Sequence, residues 1–210
     1  MDTNCMSMKI IDLFPTPIGI FKNTDTSEHK FMLESKFIDH PYYDNFIVSK
    51  ESNFLNKNKV PLLYDFITQS LNEYSKTTLA TNQTLKFTQS WLTKHDGIEQ
   101  YTFPHKHQNS IISGCYYVLA TEQDAGINFH REQDGLGKYI NWVRDKDLYD
   151  GNKYAYEKLE INVETGVLVL FPSQLMHSVY GGFKDSVRCS LAFNTWFNGP
   201  IGSKDAFTLL

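Results

Sequence analysis

The spacing of hydrophobic residues changes from helical to strand-like near residue 85 of this 210-residue chain. Before that point one segment repeats apolar side chains every three or four residues, which is typical of a helix with one buried face. Those side chains are Leu62, Leu63, Phe66, Ile67, Leu71 and Tyr74. Pro61 precedes them at a position where proline is favoured, the first of a helix. The sequence therefore predicts a helix over residues 61–77 that packs against a sheet.

From Leu85 onward hydrophobic and polar residues alternate, and a period of two predicts β-strands. The predicted strands are residues 85–93, 110–120, 126–130, 158–163, 167–171 and 186–197. Residues 164–166, ending in glycine, predict a tight turn between two of them. Many short strands after one or two helices are typical of a mainly β sandwich or jelly roll with flanking helices.

The N-terminal segment has weaker patterns. Residues 10–21 contain two prolines, which favour extended backbone, and predict an edge strand leading into the fold. Residues 26–38 predict a short helix with Ser27 or Thr26 as its N-cap.

A stretch with little periodicity, residues 131–155, interrupts the strands. A loop of this length is either a lid over a functional site or a tolerated surface insertion. Its aromatic residues and those just after it either line a substrate groove or pack on the surface: Tyr139, Trp142, Tyr149, Tyr154 and Tyr156. We expect one domain over residues 1–210, with N-terminal support from 1–84 and a β core in 85–210.

Composition narrows the class of protein. Hydrophobic residues are 41% and charged residues 21% of the chain, which is ordinary for a globular protein. A net charge of −4 disfavours a partner bound through nucleic-acid phosphates. The three cysteines are scattered without C-x-x-C spacing, which favours a reducing compartment. We find neither a signal-peptide pattern nor an apolar run of membrane-spanning length, and expect a cytoplasmic protein.

Two of the seven histidines have the spacing of metal ligands. If residues 105–107 are extended, His105 and His107 point to the same side of the strand and can converge on one ion. By contrast, His29, His40 and His95 fit the usual places of histidine, on the surface or hydrogen-bonded in the core.

Two later residues extend this pattern. His177 follows the buried run 166–173 and could supply a third ligand to a facial metal site with open positions. Alternation places Arg188 and Ser190 on one face of the last strand. An arginine inside an apolar barrel needs an anion, because an unpaired buried charge is costly. That anion is either a carboxylate ligand held bidentately or an acidic side chain of the same chain.

Several ordered blocks together resemble a known family. They are L-F-P-T-P at 13–17, Gln100-x4-His105-x-His107, S-G-C-Y-Y-V at 113–118, G-V-L-V-L-F-P-S-Q-L-M-H at 166–177 and R-C-S-L-A-F-N at 188–194. This order resembles the 2-oxoglutarate/Fe(II) oxygenases of marine phages and bacteria, which are distantly similar to prolyl 4-hydroxylases.

The resemblance implies a double-stranded β-helix that binds Fe(II) and 2-oxoglutarate. It implies hydroxylation of an unactivated C–H, with dioxygen, on an unidentified peptidyl or small-molecule substrate. The implied metal ligands are His105, His107 and His177. The implied co-substrate residues are Arg188 for the distal carboxylate, Ser190 and Tyr117 beside it, and Gln100 facing the same pocket.

Two departures from better-known oxygenases leave alternatives open. Those enzymes carry H-x-D where this chain has H-x-H, so a carboxylate ligand could come instead from Glu132 or Asp134. The family's acidic-Pro-Arg run is also replaced by N-F-H-R-E at 128–132. His130 in that run is therefore a further candidate as a pocket residue or an alternative ligand.

Two other functions remain open at this point. One is a cupin-like three-histidine metalloenzyme that does not use 2-oxoglutarate, for which Arg188 and Ser190 would have no role. The other is a non-catalytic β-sandwich binding module, which would hold no stoichiometric metal. Exposed sheet edges would also allow a homodimer.

Overall fold

The structure is a computed structural model that describes residues 8–41, 46–95, 101–121, 124, 126–131, 145–150, 152–180, 187–202, 205–206 and 208. Its helices are α1 (His29–Leu33), α2 (Pro61–Leu79) and α3 (Lys146–Tyr149). Its strands are β1 (Gly19–Lys22), β2 (Phe37–Asp39), β3 (Ile47–Ser49), β4 (Leu85–His95), β5 (Thr102–His105), β6 (Ile112–Leu119), β7 (Ile127–His130), β8 (Lys158–Ile161), β9 (Val167–Pro172), β10 (His177–Val179) and β11 (Arg188–Phe197).

The strands form two antiparallel sheets. The larger has the order β1-β9-β6-β11-β4-β3-β2, and the smaller has the order β5-β10-β7-β8. From β4 to β11 the chain crosses repeatedly between the sheets: β4, β6, β9 and β11 lie in the larger, whereas β5, β10 and the consecutive pair β7 and β8 lie in the smaller. This is the jelly-roll arrangement that the strand pattern predicts.

The larger sheet is buried on both faces. On one face, Tyr116, Leu168 and Leu191 pack with Leu63 and Ile67 of α2 in a hydrophobic cluster. On the other face, a second cluster joins the sheets and contains Cys115, Tyr117, Val169 and Phe171 of the larger sheet with Ile127 and Phe129 of the smaller. Alternation along each strand therefore decides whether a side chain faces the helices or the space between the sheets.

The predicted long helix is confirmed, with Pro61 as its first residue. Its first free amides are capped by a residue from another element: the Glu28 carboxylate accepts hydrogen bonds from Leu62 N (3.1 Å) and Leu63 N (2.9 Å). The helix ends two residues later than predicted, where Ala80 adopts a left-handed conformation (φ 51°). This packing fixes α1 and α2 together against the larger sheet.

The prediction of a helix over residues 26–38 is wrong in extent. Only His29–Leu33 is helical, and the expected N-caps Thr26 and Ser27 precede Glu28, which is the N-cap and makes no side-chain capping bond. The chain leaves the helix because Phe37–Asp39 pairs with β3 instead. Pairing with a neighbouring strand outweighs weak local helix propensity.

The strand predicted within residues 10–21 is shorter and later. Only Gly19–Lys22 pairs, with Val167–Leu170 of β9, and it forms one edge of the larger sheet.

The predicted turn at 164–166 is confirmed: Gly166 has φ +87°, and a Cβ there would lie 2.4 Å from the Asn23 carbonyl oxygen. Glycine is required at this turn because only it combines that φ with so close an approach.

Most of the stretch 131–155 lies outside the described residues, including Tyr139 and Trp142. Its described end contains α3 and is attached to the N-terminal segment, where the Asp12 carboxylate accepts hydrogen bonds from Lys153 Nζ (2.7 Å) and the Tyr154 hydroxyl (2.8 Å). Whether the stretch acts as a lid stays a prediction.

In the described part of the chain, no helix has the length and hydropathy needed to cross a membrane.

Candidate metal centre and anion pocket

Three histidines converge at one end of the space between the sheets. His105 ends β5 and His177 begins β10, and the two are direct partners in the antiparallel pair. His107 lies two residues past β5, held by hydrogen bonds from its amide to the Ser173 carbonyl (3.0 Å) and from Gln174 Nε2 to its carbonyl (2.9 Å). One ring nitrogen from each histidine lies within 4.8 Å of the others.

Backbone contacts orient two of these rings. The Nδ1 of His105 lies 2.7 Å from the Phe103 carbonyl oxygen, and the Nδ1 of His177 lies 2.8 Å from the Leu175 carbonyl oxygen. A carbonyl only accepts, so each Nδ1 carries the hydrogen and each Nε2 keeps its lone pair. Metal-binding histidines are held in this way, with one nitrogen fixed to the protein and the other free to ligate.

The three rings are neutral in this setting. Burial, and next the neighbouring His105, lower the pKa of His107 to about 4 and that of His177 to about 3. Burial also lowers the pKa of His105. Neutral imidazole is the form that ligates a metal, so protons do not compete for this site at neutral pH. The donor set fits a divalent transition metal such as iron.

A buried arginine lies in the same cavity. Arg188 is 1% exposed, and Nε, Nη1 and Nη2 of its guanidinium make no hydrogen bond among the described residues. Its Cζ lies 4.9 Å from the centre of the Tyr117 ring. Five unused N–H donors on a buried cation require an anion with several acceptors, and a carboxylate supplies them in matching geometry.

Two further hydroxyls lie beside this guanidinium. Tyr117, fully buried, is the strand partner of Ser190, and its hydroxyl also makes no hydrogen bond among the described residues. Burial raises the pKa of Tyr117, so its phenol stays protonated and can donate. Arg188, Tyr117 and Ser190 form a cluster of donors, which we call the anion pocket.

The three histidines share one cavity of about 400 Å³ with two of the three residues of the anion pocket. His105, His107 and His177 line it together with Arg188 and Ser190. Its apolar wall comes from both sheets, through Ile127, Phe171 and Val179. The cavity therefore contains both a histidine group that could hold a metal and a cation that could bind an anion.

One buried histidine was not anticipated as a cavity residue. His95 lines the cavity, is 2% exposed, and neither of its ring nitrogens has a hydrogen-bond partner among the described residues. The expectation of a surface or hydrogen-bonded core histidine is therefore wrong for His95. Its place on the cavity face could have been predicted from alternation, since it is an even number of residues from Gln89 and Trp91.

The other histidines have separate places. His29 is a core histidine as expected, with Nε2 2.7 Å from the Tyr116 hydroxyl on the helix side of the sheet. His40 lines the cavity and contacts the Phe46 ring. His130 pairs with the Ser178 hydroxyl at 2.7 Å and is not part of the three-histidine group. Gln100, Glu132 and Asp134 lie outside the described residues.

Comparison with protein families gives one match. A family model described as "Putative 2OG-Fe(II) oxygenase" matches residues 89–194, half of the chain. The matched range contains the three histidines and Arg188. Among curated proteins, no relative matches this chain.

Comparison with solved structures gives the same fold. HygX from Streptomyces hygroscopicus, with nickel and 2-oxoglutarate bound, superposes with a TM-score of 0.57 at 11% identity, over 86% of this chain and 82% of HygX. The α-ketoglutarate-dependent carbocyclase SnoK from nogalamycin biosynthesis gives 0.59 at 10% identity, over 88% and 81%. An oxygenase-family oxidoreductase from Burkholderia pseudomallei gives 0.56 at 10% identity, over 85% and 83%. These likenesses confirm the predicted double-stranded β-helix.

Proposed function

The chain belongs to the 2OG-Fe(II) oxygenase family, and from that premise we propose that it hydroxylates an unactivated C–H bond of a peptidyl or small-molecule substrate. His105, His107 and His177 hold the iron, and Arg188 holds the distal carboxylate of 2-oxoglutarate. The observation that carries this proposal is that one cavity contains both a cluster of three neutral imidazoles and a buried guanidinium that makes no hydrogen bond within the described part of the chain.

The histidines act as fixed ligands on one side of the metal. Two carbonyl groups, those of Phe103 and Leu175, keep Nε2 of His105 and His177 directed away from the backbone. A three-nitrogen set on one face leaves positions free for a bidentate co-substrate and dioxygen. Because all three ligands are neutral, the site carries one negative charge fewer than a site with two histidines and a carboxylate.

Arg188 positions the co-substrate through the end that does not react. A bidentate pair with the distal carboxylate fixes both the location and the orientation of the molecule. Ser190 and Tyr117 donate to the same carboxylate. In HygX the same fold binds nickel and 2-oxoglutarate together, which supports this use of the pocket.

When bound, Fe(II) and 2-oxoglutarate supply the oxidising chemistry: dioxygen is consumed, one oxygen enters the substrate C–H, and succinate and CO₂ leave. The chain's own part is orientation and exclusion of water. The apolar wall of Ile127, Phe171 and Val179 limits water beside the metal.

Anaerobic calorimetry tests the proposal directly. We expect 2-oxoglutarate to bind to protein loaded with Fe(II) or Mn(II), to bind at least 100-fold more weakly without metal, and to show no saturable binding in Arg188→Ala. Arg131→Ala is the matched control, because it removes an exposed arginine that bonds the Lys153 carbonyl (3.1 Å) outside the cavity. Arg188→Ala that binds as tightly as Arg131→Ala contradicts the assignment.

Turnover provides a second test. Succinate formation with Fe(II), 2-oxoglutarate and a broad substrate panel should exceed that of Arg188→Ala. Metal binding without 2-oxoglutarate binding would instead favour the cupin-like three-histidine enzyme, in which Arg188 has another role. Protein that retains no metal after gentle purification would favour a binding module.

We propose that the chain is closest in kind to the phage and bacterial oxygenases that resemble prolyl 4-hydroxylases. We also propose a single domain over residues 1–210, supported by the pairing of β1 with β9 across the sequence.

Free, buried Cys115 and Cys189 support a cytoplasmic location. The open outer strands β2 and β8 would allow a homodimer, which light scattering can test.

A further inference from the structure

His95 occupies a position that a structural histidine does not explain. A neutral imidazole has one N–H donor and one lone pair, and both are unused among the described residues although the side chain is 2% exposed. The described ring packed against it is that of Phe46, at 5.3 Å between centroids, and it offers no acceptor for that N–H. Buried polar groups are almost always hydrogen-bonded, so a pair of unused ring nitrogens indicates a missing partner.

The neighbour of His95 identifies what that partner must be. His95 and Arg188 are direct partners across the β4–β11 pair, so their side chains leave the sheet on the same face, toward the cavity. Arg188 has donors only, and its guanidinium makes no hydrogen bond to His95. A group that satisfies both must carry acceptors, and it must be negative to pair with the guanidinium.

A carboxylate has enough acceptor positions for both side chains. Its two oxygens have about four lone-pair sites, and a bidentate arginine uses two of them. Burial, and next the charge of Arg188, lower the pKa of His95 to about 3, so the ring is neutral at pH 7 and donates through one nitrogen. The neutral ring of His95 therefore adds no second positive charge beside Arg188, and its one N–H group can still donate a hydrogen bond.

We propose that His95 donates a hydrogen bond to the same carboxylate that Arg188 clamps, and is thus a further co-substrate-binding residue in the anion pocket. This inference rests on the proposed function, because it takes 2-oxoglutarate as the anion. It places four donor side chains around one carboxylate: Arg188, His95, Tyr117 and Ser190.

The test compares affinity for 2-oxoglutarate with stability of the metal-free protein. His95→Phe keeps a planar ring and removes both nitrogens, and His95→Gln restores an amide donor. His29→Phe is the matched control, because His29 is also buried but its nitrogen already pairs with the Tyr116 hydroxyl at 2.7 Å. Each variant is titrated with 2-oxoglutarate anaerobically after loading with Mn(II), and each metal-free variant is melted.

The two histidines should respond in opposite ways. His95→Phe should weaken 2-oxoglutarate binding about ten- to hundred-fold, as expected for a lost hydrogen bond to a charged group, and His95→Gln should recover part of it. The Tm of metal-free His95→Phe should equal or exceed that of the wild type, since no hydrogen bond is lost. His29→Phe should leave the Kd within about twofold and lower the Tm, because it strands a buried hydroxyl.

A 2-oxoglutarate Kd of His95→Phe within about twofold of the wild type overturns the inference. If His95→Phe does not fold, His95→Leu against His95→Gln decides in the same way, and equal affinities overturn it. Failure of the proposed function itself looks different, since wild-type protein would then show no metal-dependent binding. Binding that Arg188→Ala abolishes and His95→Phe leaves unchanged removes only the role of His95.

Discussion

At the scale of single residues, the region around Arg188 is unusual for its unused hydrogen-bonding groups. Arg188, His95 and the Tyr117 hydroxyl are all buried, and their polar atoms have no partner among the described residues. Each such group costs about 1–3 kcal/mol of folding free energy in the absence of a partner. Binding sites carry this kind of cost because the ligand supplies the missing bonds.

The protonation of His95 should make the metal-free protein sensitive to acid. Its pKa is about 3 in the fold against 6.5 for an ordinary histidine, so only the unfolded chain takes up this proton between those values. The free energy of unfolding is therefore independent of this titration above about pH 6.5 and falls by about 1.4 kcal/mol for each pH unit between about 6.5 and 3.

His95→Phe removes the titrating ring and therefore this pH dependence of the free energy of unfolding. We expect the unfolding free energy of the variant, relative to wild type, to rise by about 1.4 kcal/mol per unit between pH 6 and pH 4, measured by urea unfolding of metal-free protein. Between pH 7 and 8 the difference should stay constant, which provides the internal control. If the free energies of unfolding of the variant and the wild type changed equally between pH 6 and pH 4, a neutral, buried His95 would be contradicted.

At the scale of elements, the N-terminal helices are joined by one side chain. Glu28 precedes α1 in the chain but caps α2, through bonds to two of its first amides. Helix N-terminal amides have no partner within the helix, and an anionic cap also interacts favourably with the helix dipole. The contact thus couples the position of α1 to that of α2 on the larger sheet.

Glu28→Ala should therefore destabilise the protein by about 0.5–2 kcal/mol in chemical unfolding. Glu34→Ala is the matched control, because the Glu34 side chain pairs with Lys30 at 3.8 Å on the exposed surface. Pairs of that kind contribute little, so we expect a change below about 0.5 kcal/mol. Equal effects of the two substitutions would mean that the cap does not stabilise α2.

At the scale of the whole molecule, the site joins the two sheets. His105 and His177 belong to the smaller sheet, whereas Arg188 belongs to the larger. A ligand that contacts both ends of the cavity therefore stabilises the closed jelly roll and not a single element. A ligand L that binds only the folded state raises the free energy of unfolding by RT ln(1 + [L]/Kd).

Thermal unfolding should show this coupling. With Mn(II) present and 2-oxoglutarate at about 100 times its Kd, the Tm should rise by about 5–10 °C over the metal-loaded protein, which corresponds to about 2.7 kcal/mol. In Arg188→Ala the further rise with 2-oxoglutarate should vanish, while Arg131→Ala should keep it. If 2-oxoglutarate raised the Tm equally without metal, its binding would not depend on the metal held by the three histidines.

Local pattern was sufficient for the long elements and for the main residues of the cavity face. The helix starting at Pro61 follows from its helical periodicity, and six strands follow from the strand pattern: β4, β6, β7, β8, β9 and β11. The same alternation predicts that Arg188 and Ser190 face the cavity. Family resemblance in the ordered histidine blocks predicted which three histidines would come together.

Four of the short strands, β2, β3, β5 and β10, could not be predicted from the sequence. Strands β2, β3, β5 and β10 have only three or four residues each, and they exist because they pair with one another or with longer strands. For the same reason the helix predicted over residues 26–38 gives way to β2. Long-range pairing decides such segments, and local propensity does not.

By itself, the sequence determined the fold class, the ligand chemistry of the three histidines and the inward face of the last strand, because these depend on residue type and period. Only the tertiary structure decided that His95 lies opposite Arg188 with both ring nitrogens unused. It also decided that His130 pairs with Ser178 and is not one of the three histidines that could hold a metal. Burial and hydrogen-bond partners depend on which distant segments meet, and a single chain's local pattern does not contain that information.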